Sequence, residues 1–567
     1  MKQFEAIPSI TSEKGSALAL ALLALLILSV FGLTLLGISM SEVAIESNWK
    51  DYSQAFYGAE AGLESGVVGL RVLLAQSPYP TAAELATITP PTLSNPQLSF
   101  DTFQVQPVGA GPYSTVLTDG AFQGLRATVT DYQIASQVSG PDGTRANVAQ
   151  VVQQMAIPLF QFGVFYGRGV DLEIAPGPAM TFNGRIHANS NIYLGAGGGG
   201  LSVNESMTTA GNIYRRIKRD PAIPYGNNPQ IKDANGVYQT LDFDHEYEPG
   251  FANPWSESAW NSAAMSTFGG KVQDSAMGVG EITPPVPGLF NDTTNPDVVS
   301  HQMIERGLGG DSPAMQQAKL YYEADIVIKQ TDVYDNNGNL VDMSACDPNT
   351  VAVGGFWDAR EGKNILTVDV DIQLLAACGK APANGVLYVD HSGAANKGVR
   401  LVNGSQLPSQ GLTVVSENPV YIQGDYNTVN KVPAAVMGDA ITVLSNNWGP
   451  NNSDAVTSNS GADRPATATT VNAALALGPS AESQLGQGNG QLENVIRFLE
   501  DWSGQDFNYS GSLVALWHSQ QATAPWACCD YYRPPNRNWS YDTDLSTNQP
   551  PGAPVGIVIT KGPWSRS

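Results

Sequence analysis

At 567 residues the chain is long enough for several domains and a large core, yet only 14% of its residues are charged, against 58 glycines and 37 prolines. A net charge of −23 argues against nucleic-acid binding through a basic surface, since the densest basic cluster, Arg215-Arg216-Ile217-Lys218-Arg219, is short. The body is rich in Val, Thr, Asn, Ser and Gly, a composition that predicts strands and turns.

Ser16 to Met40 carry no charge. At about 1.5 Å per residue, a helix of that length covers the hydrocarbon core of a bilayer. The helical pattern then runs on through Glu42–Leu74, with Trp49, Tyr52, Phe56, Ala59, Leu63, Val67, Leu70 and Leu74 at three- and four-residue spacings. The apolar run is too long for a secretory signal, and no clear A-x-A pattern follows it. An uncleaved signal anchor stays open as an alternative. Lys2 and Lys14 are offset by Glu5 and Glu13, while Glu42, Glu46 and Asp51 on the far flank fit an amino terminus left in the cytoplasm.

The leader ends Glu13-Lys14-Gly15, then comes Ser16-Ala17-Leu18-Ala19-Leu20-Ala21-Leu22-Leu23, and further along stands Tyr52-Ser53-Gln54-Ala55-Phe56-Tyr57-Gly58-Ala59-Glu60-Ala61-Gly62-Leu63-Glu64. Over residues 1–75 this resembles the N-terminal region of PilX-type minor pilins of type IV pili. The resemblance implies a prepilin-peptidase cut between Gly15 and Ser16, removing 1–15 as a leader. It also implies assembly through the helix 16–76, with Tyr52, Phe56, Ala59, Glu60 and Ala61 in its signature. Major pilins usually carry Glu at the fifth mature position, and here that position is Leu20. A buried carboxylate is tolerable only when paired. Its absence therefore suits a tip or initiating place with no subunit above. The implied partners are other pilins and minor pilins, the prepilin peptidase, and the inner membrane before assembly places the head outside the cell.

Residues 77–97, rich in Pro, Thr and Ala, read as a linker. Across 98–170 the pattern becomes period-two alternation, as in Ser99–Val105, Leu125–Tyr132 and Ala146–Phe160, with the turn Gly140-Pro141-Asp142-Gly143 between the last two. This predicts a small antiparallel pilin-like domain on the exposed half of the stalk. Residues 171–445 predict a β-solenoid-like region, with short strands such as Ile192–Leu194 set between Gly/Asn turns. Gly385, Gly398, Gly411 and Gly424 recur every 13 residues there. A plain antiparallel sandwich is the alternative. An insertion at about 215–380 holds helix candidates at Trp255–Met265 and Ser312–Ala324. Residues 446–468, poor in apolar side chains, read as a second linker, and 469–567 as a C-terminal β-rich region with one helix, Leu492–Trp502. The whole is α+β, mainly β.

Cys346 and Cys378 are the more favourable disulfide pair, whereas adjacent Cys528 and Cys529 would bond to each other or stay reduced. Asp242, Asp244, Glu246 and Glu248 alternate and, on a strand, would converge as hard oxygen ligands for Ca²⁺; a solvated acidic loop is the plainer reading. No other cofactor is implied. The aromatic–arginine stretch Trp526–Tyr541 suits a surface-glycan platform or a loop packed on its own domain. No H-E-x-x-H, G-x-S-x-G or P-loop occurs, so the chain reads as no enzyme. An anchored carbohydrate-active solenoid, with acid pairs such as Asp369/Asp371 and Asp425/Asp439, is one alternative, and a minor pseudopilin of type II secretion is another.

Overall fold

A computed structural model describes residues 13–220, 222–391, 396–450, 453–458, 460–481, 489–527 and 529–566. Cys528 and most of the leader lie outside them. One unbroken helix, α1 (Glu13–Gln76), leads into an antiparallel sheet of β1 (Ser99–Val116), β2 (Arg126–Ser139) and β3 (Arg145–Pro158). β2 and β3 turn at Pro141–Gly143 and pair from Ser139↔Arg145 to Thr128↔Ala156. Both alternate buried and half-exposed residues, so one face can seat the helix. The fourth strand comes from the far end of the chain. Val555–Arg566 pairs antiparallel with β3, from Pro158↔Val555 to Val148↔Arg566. Residues 159–554 are therefore inserted between two neighbouring strands of one small sheet.

The inserted part is a stack of coils with three short strands to the turn. Val164–Tyr166, Leu172–Ile174 and Met180–Phe182 make one turn, and Ile186–Ala188, Ile192–Leu194 and Leu201–Val203 the next, each strand lying parallel on its counterpart. Val164 faces Ile186, Ile186 faces Met207, and Leu412 faces Ala434, so the tightest turns take 21 or 22 residues, while Val386 faces Thr413 and Ala435 faces Ala474 across longer ones. The 13-residue glycine spacing is thus not the repeat of the coil. Gly385 and Gly411 precede successive rungs of one sheet, while Gly398 lies inside Lys397–Val402 of another. Strands buried on both faces read as continuous apolar runs, because a parallel stack leaves no wet side.

The order of the rungs is not the order of the chain. From Val164 the coil climbs one way through Ile186–Ala188 and Met207–Thr209 to Val272–Gln273. The chain then crosses to the other end and returns through Ile326–Lys329, Val386–Asp390, Leu412–Val415, Ala434–Met437 and Ala474–Ala476 to Leu513–Ala515. That last rung closes on the first: Leu513 pairs with Val164 and Ala515 with Tyr166. Residues 215–380 thus supply rungs at both ends of one eleven-stranded sheet. The inward face of this sheet lies in the coil's core, and the outward face, with Phe165, Tyr388, Val415 and Met437, is covered by the head sheet and by the crossing segment.

Two sequence expectations fail here for one reason. Leu492–Trp502 has helical spacing but forms only a 3₁₀ turn at Leu492–Asn494, after which Arg497 bridges to Thr442 as part of a rung. Leu492, Val495, Ile496, Phe498, Leu499 and Trp502 are all buried, which a half-wet helix could not achieve. Residues 446–468 do not form a free linker either: Trp448 is buried, and the fully buried Arg464 donates to the carbonyls of Ser453, Val456 and Trp357. In the crossing segment, Glu257–Phe268 is helical, whereas Ser312–Ala324 breaks at Lys319 into Pro313–Ala318 and Leu320–Glu323.

Cys346 is bonded to Cys378, which ties the turn after a hairpin to the end of the helix Ile372–Ala377. Cys529 is also disulfide-bonded. Replacing Cys346 and Cys378 by serine is expected to cost about 3–4 kcal/mol, the loop-closure value for a link across 32 residues. An earlier urea transition of the double variant under oxidising conditions checks this.

Candidate functional site

The stalk divides sharply in its surroundings. Leu18, Leu20, Leu22, Leu23, Leu33 and Met40 are all more than half exposed, and the apolar span buries none of its surface in the fold. Ser16 and Leu20 both lie on this open part of α1. Exposed leucines on this scale need a lipid or protein partner. From Tyr52 onward the same helix is seated. Ala55, Ala59, Leu63, Val67, Leu70 and Leu74 are buried against Val105, Tyr132, Ile134, Val138, Val148 and Val152 of the head sheet. The four large side chains bring roughly 6–12 kcal/mol, an upper bound. The seated half therefore moves with the head as one body.

Glycines set how closely they fit. Gly58, Gly62 and Gly66 recur every four residues along the face of α1 that meets β2. A Cβ at Gly58 would lie 3.3 Å from Val138, one at Gly62 would run into Ser136 Oγ and stand 2.6 Å from Phe100, and one at Gly66 would stand 2.6 Å from Ile134. Each glycine costs a helix about 1 kcal/mol relative to alanine. Here that cost is offset because the backbone of α1 comes down onto the sheet. The four-residue glycine period was legible in the chain but carries no partner by itself, and sequence reasoning passed over it.

The end of the C-terminal strand clasps the stalk. Arg566 Nε donates to the Tyr52 hydroxyl at 2.9 Å, and its guanidinium sits 5.1 Å from the Tyr52 ring centre and 4.7 Å from that of Phe56. Trp564 meets Phe56 edge-on at 6.4 Å, and Lys561 pairs with Glu64 at 2.7 Å. Of the signature residues, Ala59 is fully buried, Glu60 is half-buried and Ala61 faces out. Trp49 lies beyond the sheet and stays exposed.

The four acids do not converge. Residues 241–248 form no strand. Asp244 is buried and accepts from the backbone N–H groups of Arg215, Glu246 and Tyr247 at 3.0, 2.8 and 2.8 Å; burial still raises its pKa. Glu246 pairs with Arg216 at 3.0 Å, Glu248 accepts from the Asn253 amide, and Asp242 offers its main-chain carbonyl to Gly250. The expected Ca²⁺ arrangement is thereby corrected. Among the described residues no group of three or more His, Cys, Asp or Glu could hold a metal ion. The basic run is likewise dismantled, since Arg215 is buried on backbone carbonyls and Lys218 pairs with Asp171.

The other acid pairs part in the same way. Asp369 holds Arg400, Asp371 caps a helix at Leu374, Asp425 accepts from Thr470 N–H, and Asp439 is buried beside His301. In the aromatic stretch the rings turn inward. Tyr531 and Tyr532 are buried, and the Tyr532 hydroxyl accepts from Trp526 Nε1 while donating to Asn494.

Residues 14–64 match the family model described as PilX N-terminal. Comparison with curated proteins gives no match. Among solved structures the chain is similar to the competence-associated pilin ComZ from Thermus thermophilus. The two are 13% identical, the alignment covers 91% of this chain and 97% of that one, and the TM-score is 0.28. The likeness to the N-terminal segment of PilX-type pilins thus lies in the stalk, from Lys14 to Glu64.

Proposed function

We propose that the chain is a minor pilin-like subunit of a bacterial type IV pilus-like system. It is held in the inner membrane by α1, cut between Gly15 and Ser16, and assembled with other pilins through the same helix while the β-rich head stays outside. The observation that carries this reading is the continuity of α1, whose open apolar half and head-seated half form one rod. A rod of that kind can leave lipid for a bundle of similar helices, exchanging one apolar environment for another without releasing the head. Leu20 in place of an acid supports a tip or initiating position, from which the coiled stack could reach a surface or glycan.

Replacing Gly15 by leucine is expected to block maturation. Mass spectrometry should find wild-type protein beginning at Ser16 and the variant still beginning at Met1. A variant trimmed like wild type would refute processing at this site.

A further inference from the structure

The segment that crosses between the two ends of the stack, residues 275–325, is a strap over the outward face of the long sheet. Its Val286, Leu289, Met303, Ile304 and Leu320 are buried there with Tyr388, Val415, Met437 and Trp517. Apolar burial is non-directional, so it holds the strap down without fixing where the strap lies. Polar contacts fix that: His518 Nδ1 to Asp297 at 3.0 Å, Arg306 to Glu417, and the Tyr388 hydroxyl donating to the Ile304 carbonyl at 2.7 Å.

His301 stands at the centre of these contacts, only 3% exposed. Its Nδ1 is 3.0 Å from Glu305 Oε1 on the strap, and its Nε2 is 3.3 Å from Asp439 Oδ1 on the stack. Asp439 is fully buried and also accepts from Ser519 Oγ and from the N–H groups of Gln520, Gln521 and Ala522. An ionised carboxylate only accepts, and a neutral imidazole has a single N–H. With a carboxylate at each ring nitrogen, only the imidazolium can donate to both. We infer that His301 is a doubly donating imidazolium that latches strap residues 296–308 to the stack, and that losing its proton frees them.

Burial alone would disfavour the charged ring, but the hydrogen bonds and charges of Asp439 and Glu305 outweigh it and push the His301 pKa up to about 9. The folded value lies above the unfolded one of about 6.5, so this stabilisation is complete below about pH 6.5 and is lost as pH rises through about 9. The other groups around the ring are the edge of Trp517, the Arg306–Glu417 pair beside Glu305, and Tyr388, whose hydroxyl burial pushes far above its usual range.

Hydrogen exchange of the full chain in detergent, corrected for the intrinsic chemical rate, tests the latch over residues 296–308. Protection should be full below about pH 6.5, fall about tenfold for each unit between about pH 6.5 and 9, and level off above about pH 9. Glu305→Gln removes one carboxylate at a partly exposed site and should bring the levelling-off down by roughly one pH unit, so that the total fall in protection is about tenfold smaller. A strap as well protected at pH 10 as at pH 6, or a levelling-off unchanged in Glu305→Gln, would overturn the inference.

Discussion

A chain stopped after Pro554 will fail to hold its head sheet together. The lost strand pairs ten residues with β3, and its Ile557 is buried. At about 1 kcal/mol net for each ladder hydrogen bond and 2–3 kcal/mol for the isoleucine, the loss is on the order of 10 kcal/mol. That equals the whole stability of an ordinary domain, about 5–15 kcal/mol. The outer edge of β3 would also be left open to other chains, and the clasp on Tyr52 and Phe56 would go with Arg566. Limited proteolysis in detergent reads the outcome: cuts should appear within residues 77–158 of the shortened chain while the intact chain resists. Equal resistance would mean that the terminal strand is no part of the head.

The second large effect is expected at Gly62. Substitution by leucine places a branched side chain where even a Cβ meets Ser136 and Phe100. Better helix propensity returns only about 1 kcal/mol, whereas overpacking typically costs 1–3 kcal/mol and more when backbone has to move. Gly32, with nothing near its Cβ position, provides the control. Gly62→Leu should lower the unfolding midpoint of the stalk–head unit and expose α1 beyond residue 51 to protease, while Gly32→Leu should leave both unchanged. If Gly62→Leu is tolerated as well as Gly32→Leu, the close seat of α1 on β2 is wrong.

How much could be read from the chain differed from one element to the next. α1 was legible because uncharged length and a helical period are local properties, and lipid or a sheet face satisfies them whatever else the chain does. The strands of the head were legible for the same reason, since alternation along β2 and β3 belongs to each strand alone. Leu492–Trp502 was misread because helical spacing and complete burial place apolar residues at the same positions, and only a neighbouring rung decides between them. The Ca²⁺ reading of Asp242, Asp244, Glu246 and Glu248 depended on a strand, because alternation implies a shared face only there, and the backbone is none: local N–H groups and Arg216 took the acids singly.

By itself, then, the sequence determined a lipid-length rod, its amphipathic continuation and a β-rich body, all of which rest on the period of apolar residues along a few turns or strands. Only the tertiary structure decided that Val555–Arg566 completes the head sheet, that the coil begins in its own middle at Val164, and that Leu513 closes against it. The physical reason is that strand pairing is a matter of backbone hydrogen bonds, which every residue but proline can offer alike. Which edges meet across hundreds of residues is therefore settled by what else must be buried, and not by the residues that pair.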